Sequence, residues 1–102
     1  MKAAIVLAGC GVRDGAEIHE AVMTMYSIDK NGGTCHIFAP NVAQHHVINH
    51  ITGEEMKESR NVLTEAARIA RGEGRVHSFD VHVVHTQPQL FRHDLDQDRV
   101  GP

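Results

Sequence analysis

The chain has 102 residues, enough for one small domain and too few for a second. Its net charge of -3, a pI near 6.3 and the absence of any lysine or arginine run argue against nucleic acid or an anionic membrane as its main partner. No apolar run approaches the ~20 residues that span a bilayer, and the start lacks the apolar stretch and small-residue cleavage site of a secretory signal. A cytoplasmic protein is expected, with its two cysteines, Cys10 and Cys35, as thiols rather than a disulfide.

In chain order, apolar Ala3 to Ala8 predicts a strand covered on both faces, and Gly9-Cys10-Gly11 lets the backbone turn sharply at its carboxyl end. Asp14 with Glu17 three residues later makes a D-x-x-E capping box, predicting a helix over about Gly15 to Asn31. A left-handed C-cap at Asn31-Gly32 closes it. Helical spacing sets Glu17 and Glu20 on one side of its first turns and gathers Ile18, Ala21, Val22, Met25 and Ile28 into an apolar stripe that should lie on a sheet. Cys35 to Pro40 reads as a second strand, so strand, helix and strand form a parallel pair with a right-handed crossover.

From Asn41 to Glu58 the pattern loosens into an irregular excursion with a small hairpin, its turn at Thr52-Gly53. Ser59 is expected to cap a second helix, Arg60 to Arg71, with a core face of Val62, Leu63, Ala66, Ile69 and Ala70, terminated by Gly72. Residues 75 to 102 carry four of the nine histidines and little apolar periodicity. Phe79 to Val84 could make one strand, and a frayed tail is expected beyond Thr86.

Ligands of open α/β sheets bind outside the carboxyl ends of the strands, beside helix amino termini, which makes the turn after the first strand the first candidate site. A thiol at Cys10 could be activated there, with His19 as the nearby base, but a small packing residue in a tight turn is the stronger reading. For Glu17 the capping role accounts for the residue. Glu20 lies close to the apolar stripe, and a role near a pocket is as well supported as an exposed edge position. The segment Gly9 to Gly15 matches neither a dinucleotide fingerprint nor a phosphate loop, so Gly9, Gly11 and Asp14 are candidates for holding a small polar ligand, with no cofactor. His45, His46 and His50 fit no established metal-ligand spacing, and His82 and His85 would point to opposite faces of a strand. No metal site is expected.

Taken together, Ala8 to Glu20, Ile37-Phe38-Ala39-Pro40, Val47-Ile48-Asn49-His50 and Glu58 to Gly72 closely resemble the ElbB family. That family is also called sigma cross-reacting or enhancing lycopene biosynthesis protein, and belongs to the PfpI-like branch of the class I glutamine amidotransferase-like superfamily. The resemblance covers about residues 1 to 73. It implies a flavodoxin-like three-layer α/β sandwich with a parallel sheet, usually dimeric, with a reactive cysteine on a strand-to-helix elbow and a first-helix glutamate beside it. Glu20 matches that glutamate by its spacing, and Glu17 a less critical position. The implied activity is that of a glutathione-independent glyoxalase, converting glyoxal or methylglyoxal to a hydroxy acid. There a thiolate attacks the aldehyde carbon and an acid/base moves a proton between the two carbons.

Family members are longer, and their elbow cysteine lies in the half that this chain lacks. The family's P-G-G-F-G segment is missing too: His85-Thr-Gln-Pro-Gln follows Val84. The resemblance therefore implies that residues 1-74 are the amino-terminal part of a class I glutamine amidotransferase-like domain and 75-102 a divergent tail, the product of truncation or a shifted reading frame. Such a chain is expected to be inactive alone unless Cys10 replaces the nucleophile, with Glu20 as acid/base and a small aldehyde as substrate. The alternative is a non-catalytic interaction or regulatory fragment that forms a homodimer or oligomer, or pairs with a full-length relative.

Overall fold

The computed structural model describes residues 1-72 and 75-79. Five elements follow one another: β1 (Lys2–Val6), α1 (Ile18–Lys30), β2 (Thr34–Pro40), α2 (Val62–Ala70) and β3 (Val76–Phe79). The three strands form one sheet in the order β1-β2-β3, and both pairings are parallel. Ile5 stands beside Ile37, and Ile37 beside Val76. The expected α/β class with a parallel sheet is therefore present.

Chirality decides where the helices go. Parallel crossovers are as a rule right-handed, and both of these step in the same direction across the sheet, which brings α1 and α2 to one face, where they touch each other. Both pack against β2. The core forms there from Leu7, Ile37 and Ala39 below and Ala21, Val62, Ala66, Ile69 and Ala70 above, with Ile5, Met25 and Val76 at its margin. Ala39 and Ala66 are completely buried, small side chains that let the helix approach the central strand closely. The described residues thus contain the sheet and one helical layer of a three-layer sandwich.

This one-sidedness corrects two expectations. β1 is not covered on both faces: its residues alternate between half-buried and exposed, and Val6 on the helix-free face is 63% exposed. The α1 stripe also divides. Ala21 is buried and Met25 and Ile28 are half-buried, whereas Ile18 and Val22 turn outward beside Tyr26. One helix over one sheet face covers a narrower arc than the five-residue stripe spans.

The caps are shifted as well. α1 begins at Ile18 rather than Gly15, and its N-cap is Glu17, whose own carboxylate accepts the Glu20 amide at 2.7 Å. Asp14 is not the cap. Gly32 takes the left-handed conformation after α1, with φ 81°. In α2 the cap is Asn61 rather than Ser59, its side chain accepting the Thr64 amide at 2.9 Å. At the far end Arg71 adopts φ 70° and Gly72 φ 104°. A non-glycine residue in that region costs about 1 kcal/mol, offset here by its amide bonding Ala67 O at 2.8 Å.

The 41-58 excursion is a small hairpin-like loop, as its turn signal indicates. Ile48 bridges Glu55, the Met56 amide bonds Val47 O at 2.7 Å, and Gly53 has φ 80°. Val47 anchors it, 1% exposed. The last strand begins earlier than Phe79-Val84: β3 ends at Phe79, and residues 80-102, with His82, His85 and the proposed tail, lie outside the described residues.

Replacing Asn61 by alanine removes the α2 cap and is expected to lower stability by about 1 kcal/mol in urea denaturation. Gly15→Ala should cost more, about 2 kcal/mol, because the added Cβ would sit 2.5 Å from the Cys10 amide nitrogen and 2.9 Å from the Gly9 carbonyl carbon, backbone atoms that cannot swing aside.

Candidate functional site

The chain leaves β1 through buried Leu7, whose amide bonds Phe38 O at 2.8 Å, and enters a compact loop from Ala8 to Glu17 at the carboxyl ends of the strands. Gly9 is left-handed, with φ 107°, and the Gly11 amide bonds Ala16 O at 2.9 Å. This is where open α/β sheets place their ligands.

Asp14 closes the loop rather than facing a ligand. Its side chain is 5% exposed, and Oδ2 accepts the Ile48 amide at 2.8 Å. Oδ1 fills the space where a side chain on Gly11 would stand. The carboxylate thus ties the turn to the 41-58 excursion, which is why it is unavailable to cap α1. Of the three proposed substrate contacts, Asp14 has one oxygen engaged by the Ile48 amide, and Gly9 and Gly11 shape the backbone of the turn.

Cys10 is half-buried against the core. Burial pushes its thiol up, and the nearby Glu65 carboxylate and Asp14 push it further, with Arg68 and Arg60 opposing. A thiol so placed is poor in thiolate at neutral pH, the reverse of what a nucleophile needs. It lies at one end of a cavity of about 530 Å³ between the helices, walled by Ile18, Val22, Met25 and Tyr26 with Arg68 at the rim.

Glu20 sits in the first turn of α1 with its side chain exposed, and it does not line the Cys10 cavity. The backbone under it is fixed: its amide is held by Glu17, and its carbonyl accepts the Thr24 hydroxyl at 2.7 Å. Glu17 is held below the usual carboxylate range, first by the Glu20 amide and then by the His19 amide and ring. A carboxyl held low lends its cap in full above the unfolded range and loses it as pH falls through the folded value, so acid frays this end of α1. His19, 93% exposed at its side chain, has its ring 3.6 Å from Glu17.

The buried charge that sequence reasoning missed is Glu65. It is 6% exposed on the core face of α2, with Arg68 Nε at 3.2 Å and Arg60 Nη1 at 3.5 Å from its Oε1. A signal existed: a glutamate falling between Val62, Ala66 and Ile69 needs a cation, and arginines stand five before and three after it. Elsewhere His45 and His46 stack edge to face at 5.1 Å. Among the described residues no three metal-binding side chains come together, and no helix is long and apolar enough to cross a membrane.

A parallel sheet with helical crossovers and a tight glycine loop at the carboxyl end of its first strand defines an open α/β protein of the kind that binds small ligands at that edge. Comparisons with known proteins narrow the class. The chain is 58% identical over 72 residues to the mitochondrial ES1 protein homolog of Rattus norvegicus, a match covering 70% of this chain and 27% of that protein. It is 56% identical over 72 residues to the human mitochondrial glutamine amidotransferase-like class 1 domain-containing protein 3, again 70% of this chain and 27% of the relative. It is 42% identical over 79 residues to the mitochondrial ES1 protein of Danio rerio, covering 76% and 29%. A crystal structure of an isoprenoid biosynthesis protein with an amidotransferase-like domain from Ehrlichia chaffeensis superposes with a TM-score of 0.73 at 45% identity, covering 76% of this chain and 36% of that one. No family model matches.

The chain belongs to the class I glutamine amidotransferase-like superfamily. It spans little more than a quarter of the length of the curated relatives it matches. The cytoplasmic expectation is overturned, since all three of those relatives are named mitochondrial.

With Cys35 replaced by serine, alkylation of Cys10 is expected to accelerate only at pH above the ordinary thiol range, about 8.5. Glu65→Gln removes a negative neighbour while Arg60 and Arg68 remain, so its profile should move to lower pH. Coincident profiles for the two proteins would refute the role assigned to Glu65.

Proposed function

We propose that this segment supplies the first-helix carboxylate and the glycine turn of a glyoxalase-type site acting on glyoxal or methylglyoxal without glutathione or another cofactor, and that it does not turn over alone. In that chemistry a thiolate adds to the aldehyde carbon, a carboxylate takes the proton from that carbon and returns it to its neighbour, and water cleaves the resulting thioester to release the hydroxy acid and the thiol. The observation that carries the reading is the contrast between two residues. Glu20 stands open on a backbone fixed by the Glu17 cap, whereas Cys10 is half-buried beside a carboxylate that disfavours its thiolate. Glu20 is the acid/base, and the nucleophile comes from outside this segment. The relatives are named mitochondrial, which supports a mitochondrial setting for this chain as well.

A second reading is favoured by the helix-free sheet face, where Val6 is exposed beside half-buried Phe38. Here the chain is an interaction or regulatory fragment that forms homodimers or oligomers, or pairs with a full-length relative. A monomer in size-exclusion chromatography with light scattering, unchanged by adding the relative, would end it.

Incubated with methylglyoxal, the purified chain should form hydroxy acid no faster than buffer, and Cys10→Ser should change nothing. Turnover that Cys10→Ser abolishes would make Cys10 the nucleophile and refute the assignment.

A further inference from the structure

Asp14 and His50 make a contact that the architecture alone does not require. Asp14 Oδ2 is satisfied by the Ile48 amide, but Oδ1 is buried and receives no donor from the protein. A buried carboxylate oxygen without a donor is costly, and native structures rarely retain one without a use.

The ring beside it fixes the protonation logic. His50 Nδ1 is 2.9 Å from Ile48 O, which can only accept, so Nδ1 carries the hydrogen. Nε2 is 3.3 Å from the Arg13 amide, which can only donate, so Nε2 is bare in the neutral ring. The same Nε2 lies 3.7 Å from Asp14 Oδ1. The neutral ring therefore serves two backbone groups, from the excursion and from the glycine turn, and leaves two acceptors facing each other. A proton from solvent bound at Nε2 reverses this. The nitrogen can no longer accept from Arg13, and it becomes a cationic donor 3.7 Å from the carboxylate oxygen that lacks one, a distance a small movement of the ring closes.

We propose that Asp14 and His50 form a proton-operated latch between the glycine turn and the 41-58 excursion, closed on the Arg13 amide when His50 is neutral and on Asp14 Oδ1 when it is cationic. Asp14 cannot retreat, because Oδ1 occupies the space above Gly11 and Oδ2 is bound to Ile48. The change therefore falls on the Arg13 peptide, three residues from Cys10. Other charged and titratable groups surround the pair. From the turn, the Arg13 guanidinium lies over Gly53, its Nη1 3.0 Å from where a Cβ there would stand, and Cys10 feels Asp14. From the excursion, His46 Nε2 is 3.4 Å from Arg13 O, with His45 stacked on it. From the approach to α2, Arg60 is within electrostatic reach of Asp14. The latch does not depend on the glyoxalase reading.

The test is nuclear magnetic resonance of the labelled full chain at pH 7.5 and 5.5, with His50 titration followed on its ring signals. Hydrogen exchange of the Arg13 amide, corrected for its intrinsic pH dependence, should be about fivefold faster at pH 5.5, the loss of one net hydrogen bond. The His50 Nε2 hydrogen should be protected from water at pH 5.5 and should lose that protection in Asp14→Asn. In His50→Gln the Arg13 amide should exchange alike at both pH values. Equal corrected exchange in the parent chain after His50 has titrated, or a protected Nε2 hydrogen surviving in Asp14→Asn, would overturn the latch.

Discussion

The handedness of the two strand crossovers is the constraint from which the rest of this structure follows. Because β1, β2 and β3 are laid down in one direction, right-handed connections place α1 and α2 on one face, and every core residue must come from that face. Ile37 and Ala39 of the central strand are buried for that reason. A helix on the opposite face would need a strand on the far side of β1, where the order of the sheet reverses. In open α/β sheets ligands bind outside the carboxyl ends of the strands, and the Gly9-Gly15 loop follows that end of β1.

That loop is held by packing more than by its own conformational preference. Gly15 leaves no room for a side chain against the Cys10 and Gly9 backbone, and Gly11 none against Asp14. Asp14 reaches across to Ile48, 34 residues away in sequence, so the loop and the excursion form one body. On the other side Glu65 sits among Arg60 and Arg68 beneath Cys10. The turn is rigid where it meets the core and offers its one open carboxylate, Glu20, at the start of α1.

Much of this was legible in the residues. Both helices, the first two strands, their parallel pairing and the hairpin within 41-58 follow from spacing and turn residues, because these signals act within a few positions of one another. The caps were misplaced, since Asp14 and Ser59 satisfy the same local rule as Glu17 and Asn61, and only a distant amide or the actual helix start separates them. The outward turn of Ile18 and Val22 was hidden because an apolar stripe states that a face is buried, not how wide the neighbouring sheet is. Glu65 was visible as a carboxylate within an apolar stripe, and its significance emerges once Cys10 is placed beside it.

What the sequence by itself determined is the order and type of the elements and the likeness to one superfamily, properties carried by residues near each other along the chain. Tertiary structure alone decided that Cys10 is half-buried beside a carboxylate, that Asp14 is a tie rather than a cap or ligand contact, and that Glu20 remains open. The physical reason is that a side chain's charge state and availability depend on what lies within a few ångströms. For Cys10 and Asp14 the partners that matter, Glu65 for the first and Ile48 and His50 for the second, come from segments that only the folded sheet brings together.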